Sequence, residues 1–377
     1  MKMKVYTVTL NSNVNYGARL QAFALAKFLN NQNDIECEIL NYYYPGWKTS
    51  WKLFPKPKSF RDLLKNLYLS LHVSDVIKIK KKHRMFCEFI SECLPVTNEQ
   101  YDRTKLLQSP PLADAFVCGS DQIWNLSRTR DLSFFLDFVK IGTAKKVSYA
   151  ASISEPWTQE DIEIVRPWLN EFDGISIREE GNLPQLREII PDKNPIVVCD
   201  PVFLLSKQEW ESFSSTRLCP QEPYVFCYFI GVDSLAIDTV TKIRRLLGFK
   251  LVCLQLNLNT RDYLQSDHTI IAANPKDFVG LIKNASFVVT NSFHASAFSL
   301  IFRKKFVSIP RKKDNERIKS LIKEFKISDV FMTKEKLVKI TKEDLKVDYS
   351  LTDASSTEFI DLSKKFLLDT LHGKKCN

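Results

Sequence analysis

The chain has 377 residues, 44% of them hydrophobic and 26% charged, with a net charge of +10. That length exceeds one ordinary domain and suits two, each able to bury a core without metal or disulfide staples. No apolar stretch reaches a membrane span, no signal-peptide pattern opens the chain, and no helix-turn-helix, zinc-finger or RNP pattern accompanies the basic charge, so a cytoplasmic protein without nucleic-acid partners is expected.

Strand and helix patterns alternate along the chain. Residues 5–10 read as a strand, 18–30 as a helix with Leu20, Phe23, Ala24 and Phe28 at helical spacing, and 35–40 as the next strand. Such a βαβ unit implies a parallel sheet. Residues 41–59 interrupt it with three tyrosines, two tryptophans and three prolines. Residues 62–90 then read as one or two helices carrying the basic run 78–84, and 41–110 is expected to be an insertion packed on the first domain. Strands are expected at 115–119, 146–152, 174–178 and 196–200, and a polar connection at 206–222. A second run follows: strands at 223–231, 249–257, 269–273, 287–290 and 306–310, with helices near 234–247, from Asn274 or Pro275, and over 292–303. The tail 355–371 is amphipathic. The nine cysteines form no CxxC pair, and several sit in apolar runs, as reduced thiols in a core would.

The pattern predicts an α/β protein with two doubly wound Rossmann-like domains and a cleft between them, resembling the GT-B glycosyltransferase architecture. Residues 1–210 make the first domain, 220–345 the second, and 350–377 a helix returning to the first. Ligands of such sheets sit at the carboxyl ends of strands, so chemistry is sought in the loops that follow them.

Five loops qualify. After the first strand, Asn15 can cap a helix where Gly17 removes a side chain, and the exposed N–H groups there favour an anion. Ser120, Asp121 and Gln122 crowd polar groups at the end of 115–119. Arg178 ends another strand, where it can fork onto a carboxylate or phosphate or pair with Glu179, Glu180 or Asp200. Asn291 or Ser292 caps a helix whose first turn holds His294, the side chain best suited to proton transfer near neutral pH. Asn315 and Arg317 lie in a basic loop after the last strand, able to contact phosphate or sugar.

These blocks resemble the polysaccharide pyruvyltransferase family. Asn15-Tyr-Gly-Ala-Arg-Leu-Gln-Ala-Phe-Ala-Leu25 is similar to its first turn and helix. Gly119-Ser-Asp-Gln-Ile-Trp-Asn125 matches one of its more specific strings, and Ser176-Ile-Arg-Glu179 with Asp200-Pro201 and Asn315, Arg317 and Ile318 follow in order. Ser292-Phe-His-Ala295 occupies its Ser-Phe-His-Gly or Arg-Leu-His position. Ala295 replaces the usual glycine there, and Ser292 stands where many relatives carry arginine, so another cation must serve any phosphate.

The resemblance implies transfer of pyruvate from phosphoenolpyruvate to a sugar acceptor, commonly lipid-linked, as a ketal on a surface-polysaccharide precursor. His294 becomes the proton donor or a phosphate contact. Asn15, Gly17, Ser120, Asp121, Gln122, Arg178, Asn291 and Ser292 line the donor site, and Asn315 and Arg317 meet phosphate or acceptor. No DxD, HxxE or CxxC pattern is present, so no metal and no cofactor beyond the donor substrate is expected. The stretch 41–84 can make peripheral contact with an anionic membrane at its inner face, or simply pack on its own domain. A nucleotide-sugar-dependent glycosyltransferase and a non-catalytic glycan-binding homologue are the alternatives.

Overall fold

Short segments rich in Val, Ile, Phe and Cys line up into two sheets whose described pairings are all parallel. The computed structural model describes residues 1–374 apart from 11–13, 45–58, 72, 256–263, 312–314 and 328–329. The first sheet holds β1 (Met3–Val8), β2 (Ile35–Tyr42), β3 (Val96–Tyr101), β4 (Ala115–Cys118), β5 (Lys145–Ala151), β6 (Gly174–Ile177) and β7 (Ile196–Val197), in the order β3-β2-β1-β4-β5-β6-β7. The second holds β8 (Tyr224–Tyr228), β9 (Lys250–Leu254), β10 (His268–Ile270), β11 (Phe287–Thr290) and β12 (Phe306–Ser308), in the order β10-β9-β8-β11-β12. Each order reverses beside its first strand, between β1 and β4 and between β8 and β11. Such reversals open crevices at the carboxyl ends of the strands.

The helices are α1 (Tyr16–Asn30), α2 (Phe60–Leu71), α3 (Val73–Cys93), α4 (Arg103–Gln108), α5 (Gln159–Leu169), α6 (Leu183–Ile189), α7 (Lys207–Phe213), α8 (Ser234–Leu247), α9 (Pro275–Asn284), α10 (Phe293–Ile301), α11 (Glu316–Glu324), α12 (Lys334–Lys339) and α13 (Thr352–Leu371). Their starts follow local chemistry. Asn15 caps α1 and Ser292 caps α10, while α9 opens with an Asn274–Asp277 capping box and Pro275 in its first turn. Helix α13 lies against the first sheet: Ser363 Oγ accepts from Cys199 N at 2.9 Å, and Lys145 Nζ donates to Leu371 O at 2.8 Å.

Strand β3 corrects one expectation, since it falls inside the segment read as an insertion. Its sequence, Val-Thr-Asn-Glu-Gln-Tyr, lacks apolar alternation because it is an edge strand with mostly exposed residues. The inserted part is therefore the helical hairpin α2–α3. The aromatic stretch 45–58 lies outside the described residues. All eight described cysteines are unpaired. Among the described residues no helix is long and apolar enough to cross a membrane.

Aromatic packing joins the domains. Tyr16, fully buried at the start of α1, stacks on Phe278 of α9 at 5.0 Å and donates to Ala273 O at 3.2 Å. Lys82 of α3 covers the Tyr16 ring at 5.1 Å and donates to Gln255 O, just past β9, at 3.1 Å. Lys82 is 4% exposed, and burial pulls its ammonium down to about 7. The folded state thus releases this proton near pH 7, the unfolded chain only near about 10.4. Between those values the unfolded chain holds more protons, so stability rises with pH across that window. A Lys82→Met protein should therefore melt above wild type, by most below pH 7, with the gap closing as pH approaches about 10. Melting curves of the two proteins over that range check this.

Candidate active site

Five strand ends or helix starts converge between the domains. Helix α1 follows β1, Ser120 follows β4, Arg178 follows β6, Asp200 follows β7, and His294 begins α10 after β11. Asp200 is the centre. Its Oδ2 accepts from Arg178 Nη1 at 2.7 Å, lies 3.4 Å from Ser120 Oγ and 3.6 Å from His294 Nε2. Its Oδ1 accepts from Val202 N at 3.1 Å, which fixes the carboxylate plane. Asp200, Arg178 and His294 are 2%, 4% and 7% exposed, so these charges act across little water. Burial opposes ionisation of Asp200, but attraction to His294 and Arg178 prevails and holds its carboxyl well below the usual range.

Arg178 has a second carboxylate. Its Nε donates to Glu179 Oε1 at 3.3 Å, and Glu179 also accepts from Ser152 Oγ at 2.5 Å and Ile153 N at 3.3 Å. The guanidinium carbon stands 4.4 Å from the centre of the Phe293 ring, in cation–π contact. Burial works against its charge, while Glu179, Asp200 and Asp121 raise its pKa above the ordinary arginine value. So Arg178 does pair with Glu179 and Asp200. One group is nevertheless left over: Arg178 Nη2 is buried without a hydrogen-bond partner, and so is His294 Nε2. Two unbonded buried donors around one carboxylate are costly in a native fold and mark a place where an acceptor atom belongs.

Gly17 explains how His294 reaches this place. A Cβ on residue 17 would stand 2.0 Å from His294 Nδ1, so the first turn of α1 admits the ring only because residue 17 has no side chain. Gly119 makes the neighbouring loop in the same way. It lies at φ +135°, where a Cβ would meet Tyr149 O at 2.0 Å. The Gly119–Ser120 peptide is cis. Ser120 N donates to Gln21 Oε1 at 3.0 Å and Ser120 Oγ to Ala150 O at 2.9 Å, tying this loop to α1 and β5.

The other sequence-selected residues divide by what their polar groups already do. Asn15 Oδ1 accepts from Gly17 N at 3.0 Å and Ala18 N at 3.4 Å, so the helix start is capped by its own side chain. Gln122 spends Nε2 on Ser154 and Oε1 on Arg128. Asn291 accepts from Ile230 N at 2.7 Å and donates to Gly231 O at 3.0 Å, and Ser292 Oγ accepts from Ala295 N at 3.4 Å. Asn315 accepts from Arg311 N and donates to Arg311 O, at 2.6 Å each. These five residues are scaffolding in this arrangement. Asp121, at φ +67°, accepts from Gln122 N at 2.9 Å and lies close enough to Arg178 to act on its charge. Arg317, on α11, lines a cavity of about 20 Å³ with Arg178, Asp200, Phe293 and Glu324.

Sequence reasoning gave Asp200 and Glu179 as salt-bridge partners of Arg178 and as parts of the family's strings, and it assigned no role to Phe293. The signal for Asp200 was present in the Asp-Pro pair after a strand, but its contact with His294 joins two domains and has no local trace. Among the described residues no group of three or more His, Cys, Asp or Glu side chains is placed to hold a metal ion.

Two Rossmann-like domains whose strand ends face each other define a GT-B-like protein. Solved structures similar along nearly the whole chain include S. aureus MnaA with UDP (12% identity, TM-score 0.56, 100% of this chain and 99% of that one). UDP-N-acetylglucosamine 2-epimerase from Rickettsia bellii is another (12%, 0.52, 99% and 97%), as is UDP-GlcNAc 2-epimerase from Neisseria meningitidis bound to UDP-GlcNAc (12%, 0.50, 97% and 100%). At such identities the likeness shows fold alone. No curated protein matches the sequence. The family model described as polysaccharide pyruvyl transferase matches residues 15–313, and the chain belongs to that family.

Proposed function

We propose that the protein takes the pyruvyl group from phosphoenolpyruvate and joins it as a ketal to two hydroxyls of a sugar in a surface-polysaccharide precursor. The observation that carries this reading is the pair of unbonded buried donors, Arg178 Nη2 and His294 Nε2, around the Asp200 carboxylate. An anionic substrate with a carboxylate and a phosphate supplies the acceptor atoms both lack.

The chemistry assigns the groups. A proton adds to the methylene carbon of phosphoenolpyruvate, the C2–C3 π pair forms the new C–H bond, and C2 becomes cationic. A sugar hydroxyl adds to C2 and returns a proton to the now deprotonated His294. A second hydroxyl then forms its C2–O bond as the C2–O bond to phosphate breaks with its electron pair, its proton leaves on the departing inorganic phosphate, and the cyclic ketal remains. His294 supplies the first proton through Nε2. Asp200, ionised and 3.6 Å away, stabilises the protonated ring before transfer and fixes its orientation. Arg178 donates through Nη2 to the donor carboxylate, and Arg317 faces the phosphate. A cavity of about 20 Å³ admits one water, so the donor enters beside Arg178 only as the site opens.

Melting with ligand tests the reading. Phosphoenolpyruvate at a hundredfold excess over its Kd should add about 2.7 kcal/mol to the stability and raise the melting temperature. A shift with UDP-sugars and none with millimolar phosphoenolpyruvate would replace the donor with a nucleotide sugar. Stoichiometric glycan binding with no phosphate released would make the protein a non-catalytic homologue.

A further inference from the structure

Helix α2 turns an apolar face to solvent. Phe60, Leu63, Leu64, Leu67 and Leu71 recur at the three- and four-residue spacing that places side chains on one helical face, and they are 49% to 74% exposed. Val73 and Ile77 of α3, each 61% exposed, add two more large apolar side chains to the solvent surface of the hairpin. A continuous run of large exposed apolar side chains marks a surface that something covers.

Charge says what covers it. On α3, Ile77, Lys80, Lys81 and Arg84 follow at i, i+3, i+4 and i+7, all exposed, so the apolar stripe runs directly into a basic ridge. Lys80 and Lys81 have no carboxylate partner among the described residues, whereas Lys78 lies 3.6 Å from Asp75 and Arg84 lies 3.4 Å from Glu88. An apolar stripe beside a basic ridge is the chemistry of a helix lying at an anionic lipid surface: hydrocarbon side chains sink to the acyl boundary and ammonium groups meet lipid phosphates. The same helix, through Lys82 on its buried face, reaches the second domain at the end of β9, so the hairpin is anchored next to both domains.

We propose that α2 and the first half of α3 dock the enzyme on an anionic bilayer, bringing the cleft to a membrane-held acceptor. The docking stands on exposure and charge; only its purpose rests on the pyruvyl-transfer reading.

The experiment is co-sedimentation of the full chain with phosphatidylcholine vesicles containing about one-third phosphatidylglycerol, at low and high salt. Two double variants accompany it, Leu63→Asp with Leu67→Asp and Lys80→Glu with Lys81→Glu. These positions are exposed, so both variants should fold and keep the phosphoenolpyruvate melting shift. Binding should be at least about tenfold weaker on pure phosphatidylcholine, weaken with salt, and fall at least about tenfold in each variant. Wild-type protein that ignores the anionic vesicles overturns the proposal, as do variants that bind as well as wild type. A dimer that the leucine variant dissociates, with no vesicle binding, assigns the face to a second copy instead. Vesicle binding without a phosphoenolpyruvate shift would sink the donor assignment and leave the docking in place.

Discussion

His294→Asn should fold normally, bind phosphoenolpyruvate up to about tenfold more weakly for want of the hydrogen bond from Nε2, and turn over about 10²–10⁴-fold more slowly at saturating donor. Asn is similar in bulk, and the first turn of α10 tolerates it, since Ser292 and not residue 294 caps the helix. The ring makes no hydrogen bond through Nε2 that the fold would lose. Its removal takes away the proton source beside Asp200, so turnover falls even when the donor is saturating. If His294 only clamps phosphate, donor affinity falls and turnover at saturating donor survives. If it is structural, the melting temperature drops and the folded fraction keeps its specific activity. Melting, donor affinity and turnover measured on this one variant separate the three outcomes.

Gly17→Ala should be nearly as damaging, although residue 17 needs no chemistry of its own. The added methyl would stand 2.0 Å from His294 Nδ1, so the ring or the start of α1 must shift by more than an ångström. Overpacking of that kind costs about 1–3 kcal/mol, and a displacement of about 1 Å in a reacting group can cost about 10²-fold in rate. The two residues should also be strongly coupled. In a His294→Ala background the space beside residue 17 is empty, so adding Gly17→Ala there should cost little further stability. Equal losses in both backgrounds would mean that the methyl strains α1 itself, not the histidine.

Much of this arrangement was legible because strand ends carry chemistry in a doubly wound sheet. The polar residues after β4, β6 and β11 stand out against the apolar strands before them, and each leads into the cleft. The helix cap at Asn15 was readable, and the starts at Asn274 or Pro275 and at Asn291 or Ser292 were narrowed to two residues each, because capping is local. Legibility ended where residues from different elements meet. Nothing near Gly17 in the chain says that His294 occupies its missing side chain. Asn291, Gln122 and Asn315 looked available for ligands, but amide groups shielded from water take the nearest partners, backbone for Asn291 and Asn315 and the Ser154 and Arg128 side chains for Gln122. Edge strand β3 was hidden for the opposite reason: largely exposed, it had no apolar alternation to reveal it.

The central claim is that donor anion binds the two idle donors around Asp200. A crystal structure with phosphoenolpyruvate soaked in tests it most directly. The account predicts ligand oxygen within hydrogen-bond distance of both Arg178 Nη2 and His294 Nε2, with the phosphate toward Arg317. Phosphoenolpyruvate bound elsewhere, with Arg178 Nη2 and His294 Nε2 still unoccupied, would contradict it.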